Sequence, residues 1–188
     1  MSSSTSLRGR LLVAEPTLAD PNFHRSVIYL IEHSEEGSLG VVLNRPSDTP
    51  VHAVVPTWSP YVSDPKIVFT GGPVSPDAAI CLGRCDDGED SPLWTSLGDG
   101  VGVGVVDLNG DPTDAPAGVT GLRVFAGYSG WSAGQLEAEM AMDGWFVLDA
   151  VADDIFAESA DVLWRRVLAR QDGPLRRLAP FPEDPSVN

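Results

Sequence analysis

Apolar residues in this chain come in short runs, and this pattern limits the possible folds more than any other feature. Each run is rich in β-branched or apolar residues and ends within a few positions at Gly, Pro, Asn, Asp or another charge, as strands do. Seven runs are predicted strands: Leu11–Ala14, Val27–Glu32, Leu39–Asn44, Lys66–Thr70, Val101–Asp107, Leu122–Tyr128 and Trp145–Asp149. A mixed sheet therefore forms the centre of the predicted fold.

Signals for helix ends occur at a few places between and after these runs. Thr49 followed by Pro50 has the form of an N-cap with proline at the first helical position, and Pro56 limits that helix to a short one. Ser132 followed three residues later by Gln135 has the pattern of a capping box. The two longer predicted helices are Ala133–Met142 and Ala160–Arg170, the second with Gly173 as its stop.

The length and composition favour one globular domain. The chain has 188 residues, of which 43% are hydrophobic and 21% charged. A chain of this size buries about 70% of the surface it exposes when unfolded, so it needs neither disulfides nor a metal for stability. We predict a flexible N-terminus at residues 1–8, a single domain at 9–173, and a tail at 174–188 that frays after Pro174.

Acidic residues outnumber basic ones by 27 to 12, which gives a formal net charge of −15 at pH 7. Such a charge repels phosphate backbones and anionic lipid, so it argues against nucleic acid as a partner. The apolar runs are also too short for a signal-peptide core or a membrane span. We therefore expect a cytoplasmic protein that does not associate with a membrane.

The sequence predicts no metal and no cofactor. Cys81 and Cys85 have no second pair and lack the spacing of a zinc or CxxC motif, so we expect buried free thiols. The acidic segment Asp107–Asp114 begins like an EF-hand loop but has proline at position 6 and glycine at position 12. Both it and the segment Asp86–Asp90 are predicted to be solvated turns.

Two glycine motifs follow predicted strands. Gly127-Tyr128-Ser129-Gly130-Trp131 stands where a hydrolase nucleophile elbow would, but a tryptophan occupies the position at which the elbow needs glycine. All three histidines also precede the serine, which is the wrong order for that fold. Gly71-Gly72-Pro73, directly after a strand, is either a tight turn or a cradle for a ligand.

Two arginines flank the hairpin that is predicted to turn at Ser34–Gly37. Arg25 precedes the second strand and Arg45 follows the third, so strand pairing brings them to the same end of the hairpin. Two guanidiniums gathered in this way are a candidate site for a carboxylate or a phosphate. The alternative is that each arginine holds a loop through a salt bridge to a neighbour such as Asp20 or Asp48.

Seven separated motifs in a fixed order resemble the YqgE/AlgH family of bacterial proteins. They are GRLLVA at 9–14, DPNFHRSV at 20–27, EH at 32–33, GVVLNRP at 40–46, GGPV at 71–74, GYSGW at 127–131 and QLE at 135–137. The resemblance runs from about residue 9 to about residue 168. It implies an α+β fold in which mixed, largely antiparallel sheets form an incomplete pseudo-barrel with a few flanking helices. It implies no established activity, although one branch of the family carries the label of transcriptional regulator.

Three functional hypotheses remain open. The first is a non-catalytic module that binds a small anion or a protein partner, with no catalytic residue. Its candidate ligand-binding residues are Arg25, Ser26, His33, Asn44, Arg45, Gly71, Gly72, Ser129, Trp131, Gln135 and Glu137. The second is an enzyme that uses Glu137, His33 or Ser129 as base or nucleophile. The third is a DNA-binding regulator, which the net charge disfavours.

Overall fold

The computed structural model describes residues 5–86, 91–98 and 100–183. Within these residues the strands are β1 Arg10–Ala14, β2 Val27–Ser34, β3 Gly37–Val42, β4 Pro46–Pro50, β5 Ile67–Thr70, β6 Val74–Cys85, β7 Trp94–Ser96, β8 Val103–Val106, β9 Val119–Ser132 and β10 Trp145–Asp149. The helices are α1 Val51–Val54, α2 Gln135–Ala141, α3 Ala152–Ile155 and α4 Leu163–Ala169. Short 3₁₀ turns lie at Ser59–Tyr61, Pro112–Asp114, Ala160–Val162 and Leu175–Leu178.

The strands form one curled sheet in the order β10-β1-β2-β3-β9-β6-β8-β7. All neighbours along this path are antiparallel, whereas β5 pairs in parallel with β9 and antiparallel with β4. Because β10 and β7 end the path without pairing to each other, the barrel is incomplete. The expected α+β pseudo-barrel of mixed, largely antiparallel strands is confirmed.

The seven predicted strands all correspond to strands of the structure, but β9 is much longer than expected. It has 14 residues and continues through the Gly-Tyr-Ser-Gly-Trp motif as far as Ser132. Its first part pairs with β6 and its last part pairs with β3. The motif is therefore part of a continuous strand and does not form the turn of a nucleophile elbow.

Strands β4, β6 and β7 have no counterpart in the predictions. In β6, the residues from Val74 to Ala79 are exposed and include a proline and an aspartate, so they lack the apolar pattern of a strand. The register with β9 shifts between Val74 and Ala79 and then runs regularly to Arg84. Pairing with β9, which is a long-range contact, determines this strand.

The helix starts differ from the predictions in detail. Thr49 belongs to β4, and α1 is a single turn that begins after Pro50. Ser132 ends β9 and does not cap α2, which begins after Gly134. The Gln135 side chain still accepts a hydrogen bond from the Ser132 backbone N–H at 3.0 Å, which is one half of a capping box. The last predicted helix is a 3₁₀ turn followed by α4.

Both cysteines are buried free thiols, as predicted. Burial raises the pKa of the Cys81 thiol to about 12, so this thiol stays protonated at neutral pH. In the segment Asp107–Asp114 all three aspartates are exposed, which confirms a solvated turn. Residues 87–90 of the other acidic segment lie outside the described residues.

Both ends of the described chain pack onto the fold. Leu7, within the segment predicted to be flexible, lies against an apolar cluster beneath α2. After Pro174, where the sequence predicts fraying, Leu175 and Leu178 pack against the main core together with Phe181. The apolar side chains of this segment are spaced so that one face of the 3₁₀ turn can be buried. No helix of the described residues is long and apolar enough to cross a membrane.

A buried arginine connects the sheet to the loops on one side of it. Arg123 of β9 is 1% exposed and donates to the backbone carbonyls of Ala157 at 2.6 Å, Ile155 at 3.3 Å and Asp64 at 2.8 Å. Its guanidinium also lies 4.4 Å from the ring centroid of Phe69. Burial lowers the pKa of Arg123 to about 10, so it remains charged at neutral pH.

Replacing this arginine with an apolar side chain should destabilise the fold. In Arg123→Met, three backbone carbonyls lose a charged donor, and we expect the free energy of unfolding to fall by about 3 kcal/mol. Urea unfolding measures the change. Arg84→Met is the control, because Arg84 pairs with Asp86 and Asp153 near the surface and should change stability by less than about 1 kcal/mol. Equal effects of the two substitutions would contradict the structural role of Arg123.

Candidate functional site

The hairpin of β2 and β3 places three of the candidate residues at one end of the sheet. Its register runs from Ser34 opposite Gly37 at the turn to Ile28 opposite Val42 at the far end. Arg25 precedes β2, and Asn44 and Arg45 follow β3, so all three lie beyond this far end. The prediction that Arg25 and Arg45 come to the same end of the hairpin is confirmed, and both side chains line the same cavity.

Asn44 fixes the backbone at this end of the hairpin. Its amide oxygen accepts a hydrogen bond from the Val27 N–H at 2.9 Å, and its amide nitrogen donates to the Arg25 carbonyl at 2.8 Å. Arg25 has a φ of 53°, a left-handed conformation that is uncommon for a residue with a side chain. The buried Asn44 side chain thus holds Arg25 in a backbone conformation that it would rarely adopt alone. Ser26, which lies between Arg25 and Val27 in the sequence, is fully buried.

The Arg25 side chain is 8% exposed and has few partners for its five donors. Its guanidinium lies 4.4 Å from the ring centroid of Trp164 in α4, and one terminal nitrogen donates to the carbonyl of Phe181. Its buried Nε finds no hydrogen-bond partner among the described residues. Donor capacity therefore remains at this guanidinium.

Arg45 also makes its contacts with backbone carbonyls. It donates to the carbonyl of His24 and, at 3.3 Å, to that of Asn44. In the described part of the chain, no carboxylate lies within 4.0 Å of Arg25 or Arg45. The alternative of salt bridges to Asp20 or Asp48 is therefore wrong, although both arginines do hold neighbouring segments in place.

We call the cavity at this end the arginine hollow, with a volume of about 240 Å³. Its lining residues are His24, Arg25, Asn44, Arg45, Asp161, Trp164, Arg165 and Glu183. Three guanidiniums thus face two carboxylates. Burial lowers the pKa of Arg25, the nearby charge of Arg165 lowers it further, and Glu183 opposes this. Burial also lowers the pKa of Arg45. Charged guanidiniums are therefore held here in a partly desolvated, mutually repulsive arrangement.

A second hollow of about 260 Å³ adjoins the first through Arg45. Gly72, Pro73 and Thr70 line it together with residues near Pro21 and Pro46. One candidate residue, Gly72, thereby comes close to the arginines. Among the described residues, no other charged side chain lines the second hollow.

Glycine is required at positions 71 and 72 mainly because two backbone segments pass very close to each other there. A Cβ on Gly72, whose φ is +156°, would lie 2.2 Å from the Tyr128 carbonyl carbon, and one on Gly71 would lie 2.3 Å from the Gly127 oxygen. Ser129, which is fully buried, donates its hydroxyl to the Gly71 carbonyl at 3.2 Å. These contacts favour the tight turn over the ligand cradle for Gly71.

The remaining four candidates lie near the turn of the hairpin. Trp131 is opposite Ser38, close to where β3 begins, and Gln135 and Glu137 follow in α2. The two ends of β3, Gly37 and Val42, are five residue-to-residue steps apart, which corresponds to about 17 Å. The structure therefore divides the predicted set into two groups and does not bring all eleven residues to one cavity.

His33 is enclosed by two partners in this second group. Its Nδ1 accepts from the Leu7 backbone N–H at 3.2 Å, so Nε2 carries the proton and donates to Glu137 at 3.0 Å. Both ring nitrogens are thus engaged. The hydroxyl of Ser129 is buried and directed to a carbonyl. These contacts leave neither side chain free as a base or nucleophile in this arrangement.

Glu139, which sequence reasoning missed, is the central acceptor of this second group. One carboxylate oxygen accepts from the indole nitrogens of both Trp131 and Trp145, each at 2.9 Å. The other oxygen accepts from the Gln135 amide at 3.0 Å. The spacing of four residues between Gln135 and Glu139 is a usable signal for their contact, but no local pattern indicates the two indole contacts.

Comparison with known proteins agrees with this architecture. The model of the AlgH-like family, DUF179, matches residues 11–176. The chain belongs to this family. A relative from Thermobifida fusca, a UPF0301 protein, is 48% identical over an alignment of 191 residues that covers 97% of this chain and 96% of the relative.

Two solved structures of similar proteins share the AlgH-like fold. The crystal structure of DIP2367 from Corynebacterium diphtheriae has a TM-score of 0.86 and 36% identity, covering 92% of this chain and 91% of the other. The solution structure of AlgH from Pseudomonas aeruginosa has a TM-score of 0.69 and 30% identity, covering 97% of each. The family resemblance seen in the motifs is thereby confirmed.

The role assigned to Asn44 predicts a large loss of stability on its removal. Asn44→Ala leaves the Val27 N–H and the Arg25 carbonyl without partners in a buried place, and we expect a loss of about 2 to 3 kcal/mol. Chemical unfolding measures this difference. The exposed Asn22 offers a control, since Asn22→Ala should change stability by less than about 0.5 kcal/mol. An unchanged stability of the Asn44 variant would remove the basis for this role.

A second prediction concerns Glu139. In Glu139→Gln the charged acceptor of two indoles is lost and an amide donor faces Gln135, so we expect a loss of about 1 to 2 kcal/mol. Glu137 is exposed, and its side chain contacts His33 alone among the described residues, so Glu137→Gln should cost less than about 0.5 kcal/mol. Urea unfolding compares the variants, and the indole N–H resonances of Trp131 and Trp145 should shift only in the first. If both variants leave these resonances in place, Glu139 does not hold the indoles.

Proposed function

We propose that the protein is a non-catalytic module that binds a small anion, through a phosphate or carboxylate group, in the arginine hollow. One observation carries the proposal. Arg25, Arg45 and Arg165, three of only 12 basic residues in the chain, line one cavity. Within the described ranges, none of the three has a carboxylate within 4.0 Å.

The physical argument starts from repulsion between the guanidiniums. Arg165 lowers the pKa of Arg25, which means that each charge destabilises the other in the unliganded site. A bound anion would offset this repulsion and provide acceptors for donors that are free, including the buried Nε of Arg25. Guanidinium groups suit this task because their forked donors match the oxygens of carboxylates and phosphates.

The hollow also has features that limit its ligand. Its volume of about 240 Å³ accommodates a small molecule and not a folded partner. Asp161 and Glu183, which also line the hollow, reduce the positive field, so we expect modest affinity that weakens with salt. A protein partner would have to insert a single acidic side chain. We also propose that the protein acts in the cytoplasm, as expected from the sequence analysis.

The two other hypotheses receive less support. A DNA-binding role would work against the charge of −15, which repels the phosphate backbone at long range. An enzyme that uses His33 or Ser129 would first have to break the contacts that engage them.

Calorimetric titration with inorganic phosphate, and separately with acetate, tests the proposal at low ionic strength. We expect saturable binding of at least one anion, together with a shift of the Trp164 indole resonance. Arg165→Gln and Arg45→Gln should each weaken binding about tenfold, since each removes one charge-assisted contact. Arg165 is exposed, so its replacement should leave the fold intact.

Arg84→Gln is the matched control, because it removes an equal charge at an exposed place outside the hollow. It should alter the dissociation constant by less than about twofold. Failure to bind either anion, or equal weakening by the control substitution, would refute the proposal.

A further inference from the structure

The last described segment of the chain ends at the arginine hollow. Leu175, Leu178 and Phe181 pack against the main core, and the Phe181 N–H donates to the Leu178 carbonyl at 2.9 Å. The Phe181 carbonyl of the same segment accepts from Arg25, and Glu183 lines the hollow. The chain thus directs two of its own acceptors to the proposed site.

These acceptors have the chemistry of the proposed ligand. A carbonyl oxygen occupies one donor of Arg25, and the charge of Glu183 raises the Arg25 pKa, as a bound anion would. The Glu183 side chain is exposed, however, and within the described residues it forms no ion pair closer than 4.0 Å. The segment therefore offsets part of the positive charge of Arg25 but does not occupy all of its hydrogen-bond donors.

An anion can replace the contact between the Phe181 carbonyl and Arg25. The carbonyl oxygen is neutral, whereas an anionic oxygen adds a charge–charge attraction to its hydrogen bond with the guanidinium. Pro180 and Pro182 flank Phe181 and restrict its backbone, so the segment loses little entropy when it docks. Such a segment can occupy the site in the absence of ligand and give way to an anion.

We propose that residues 181–183 form a strap that competes with the anion for Arg25. Anion binding displaces the Phe181 carbonyl and Glu183 from the arginine hollow, and the strap sets the affinity by its own docking. This inference rests on the proposed anion site and adds a means of regulation to it. Whatever stabilises the displaced strap increases the affinity of the site.

The first test uses phosphate titration of the full chain and its variants. Glu183→Gln removes the charge that competes with phosphate, and we expect binding to tighten about fivefold. Asp172→Asn removes an equal charge from an exposed residue before the 3₁₀ turn and should leave the dissociation constant within about twofold. Unchanged or weaker binding by the Glu183 variant would overturn the strap.

The second test separates displacement from simple charge effects. Saturation of the wild-type protein with phosphate should speed hydrogen exchange at the Phe181 amide at least about tenfold, because the bond to Leu178 opens when the segment leaves. Asp161 lines the hollow but lies outside the strap. Asp161→Asn should therefore tighten phosphate binding without altering hydrogen exchange at the Phe181 amide in the protein without phosphate. Unaltered or slower exchange at Phe181 on phosphate binding would show that the segment stays docked, and would refute the strap.

The outcomes also distinguish the strap from the anion site itself. If phosphate and acetate bind neither the wild type nor Glu183→Gln, the anion site is wrong and the strap with it. If an anion binds both with equal affinity and Phe181 exchange does not change, the anion site stands and the strap alone is refuted.

Discussion

Hydrogen bonding along both edges of β9 joins the two halves of the molecule. One part of this strand pairs with β3 and the hairpin, and the other pairs with β6 and the outer strands. The parallel pairing of β5 with Phe125 and Ala126 adds a third connection. Because one long strand pairs with both groups of strands, they form one curled sheet and not two separate layers.

At the far end of that hairpin, buried polarity and charge are arranged at some cost to stability. The oxygen and the nitrogen of the Asn44 side-chain amide both form hydrogen bonds with the backbone next to Arg25, which has a positive φ. The Nε of Arg25 is buried and has no hydrogen-bond partner in the described structure. Local strain combined with unsatisfied donors is typical of binding sites, where a ligand supplies what the fold leaves open.

Sequence reasoning was successful where the interactions are local. The hairpin turn, the seven apolar strands and the joining of Arg25 with Arg45 follow from periodicity and short-range pairing, and the family motifs added the pseudo-barrel. Trp164, Arg165 and Glu183 could not be assigned to the site, because more than 100 residues separate them from Arg45 and only tertiary packing brings them there. Likewise β6 depends on β9, and the exposed residues from Val74 to Ala79 carry no strand pattern of their own. His33 and Glu137 were grouped with the arginines because motif order does not reveal the distance along a hairpin.

The carboxylate of Glu139 links residues that belong to three different elements, β9, α2 and β10. Because one acidic side chain satisfies two indoles and an amide, no member of the set is independent of the others. Loss of either tryptophan removes one indole donor from Glu139, whereas loss of the carboxylate at position 139 removes the acceptor of both indoles at once. Substitutions at these positions are therefore expected to be energetically coupled, so that their combined effect differs from the sum of the single effects.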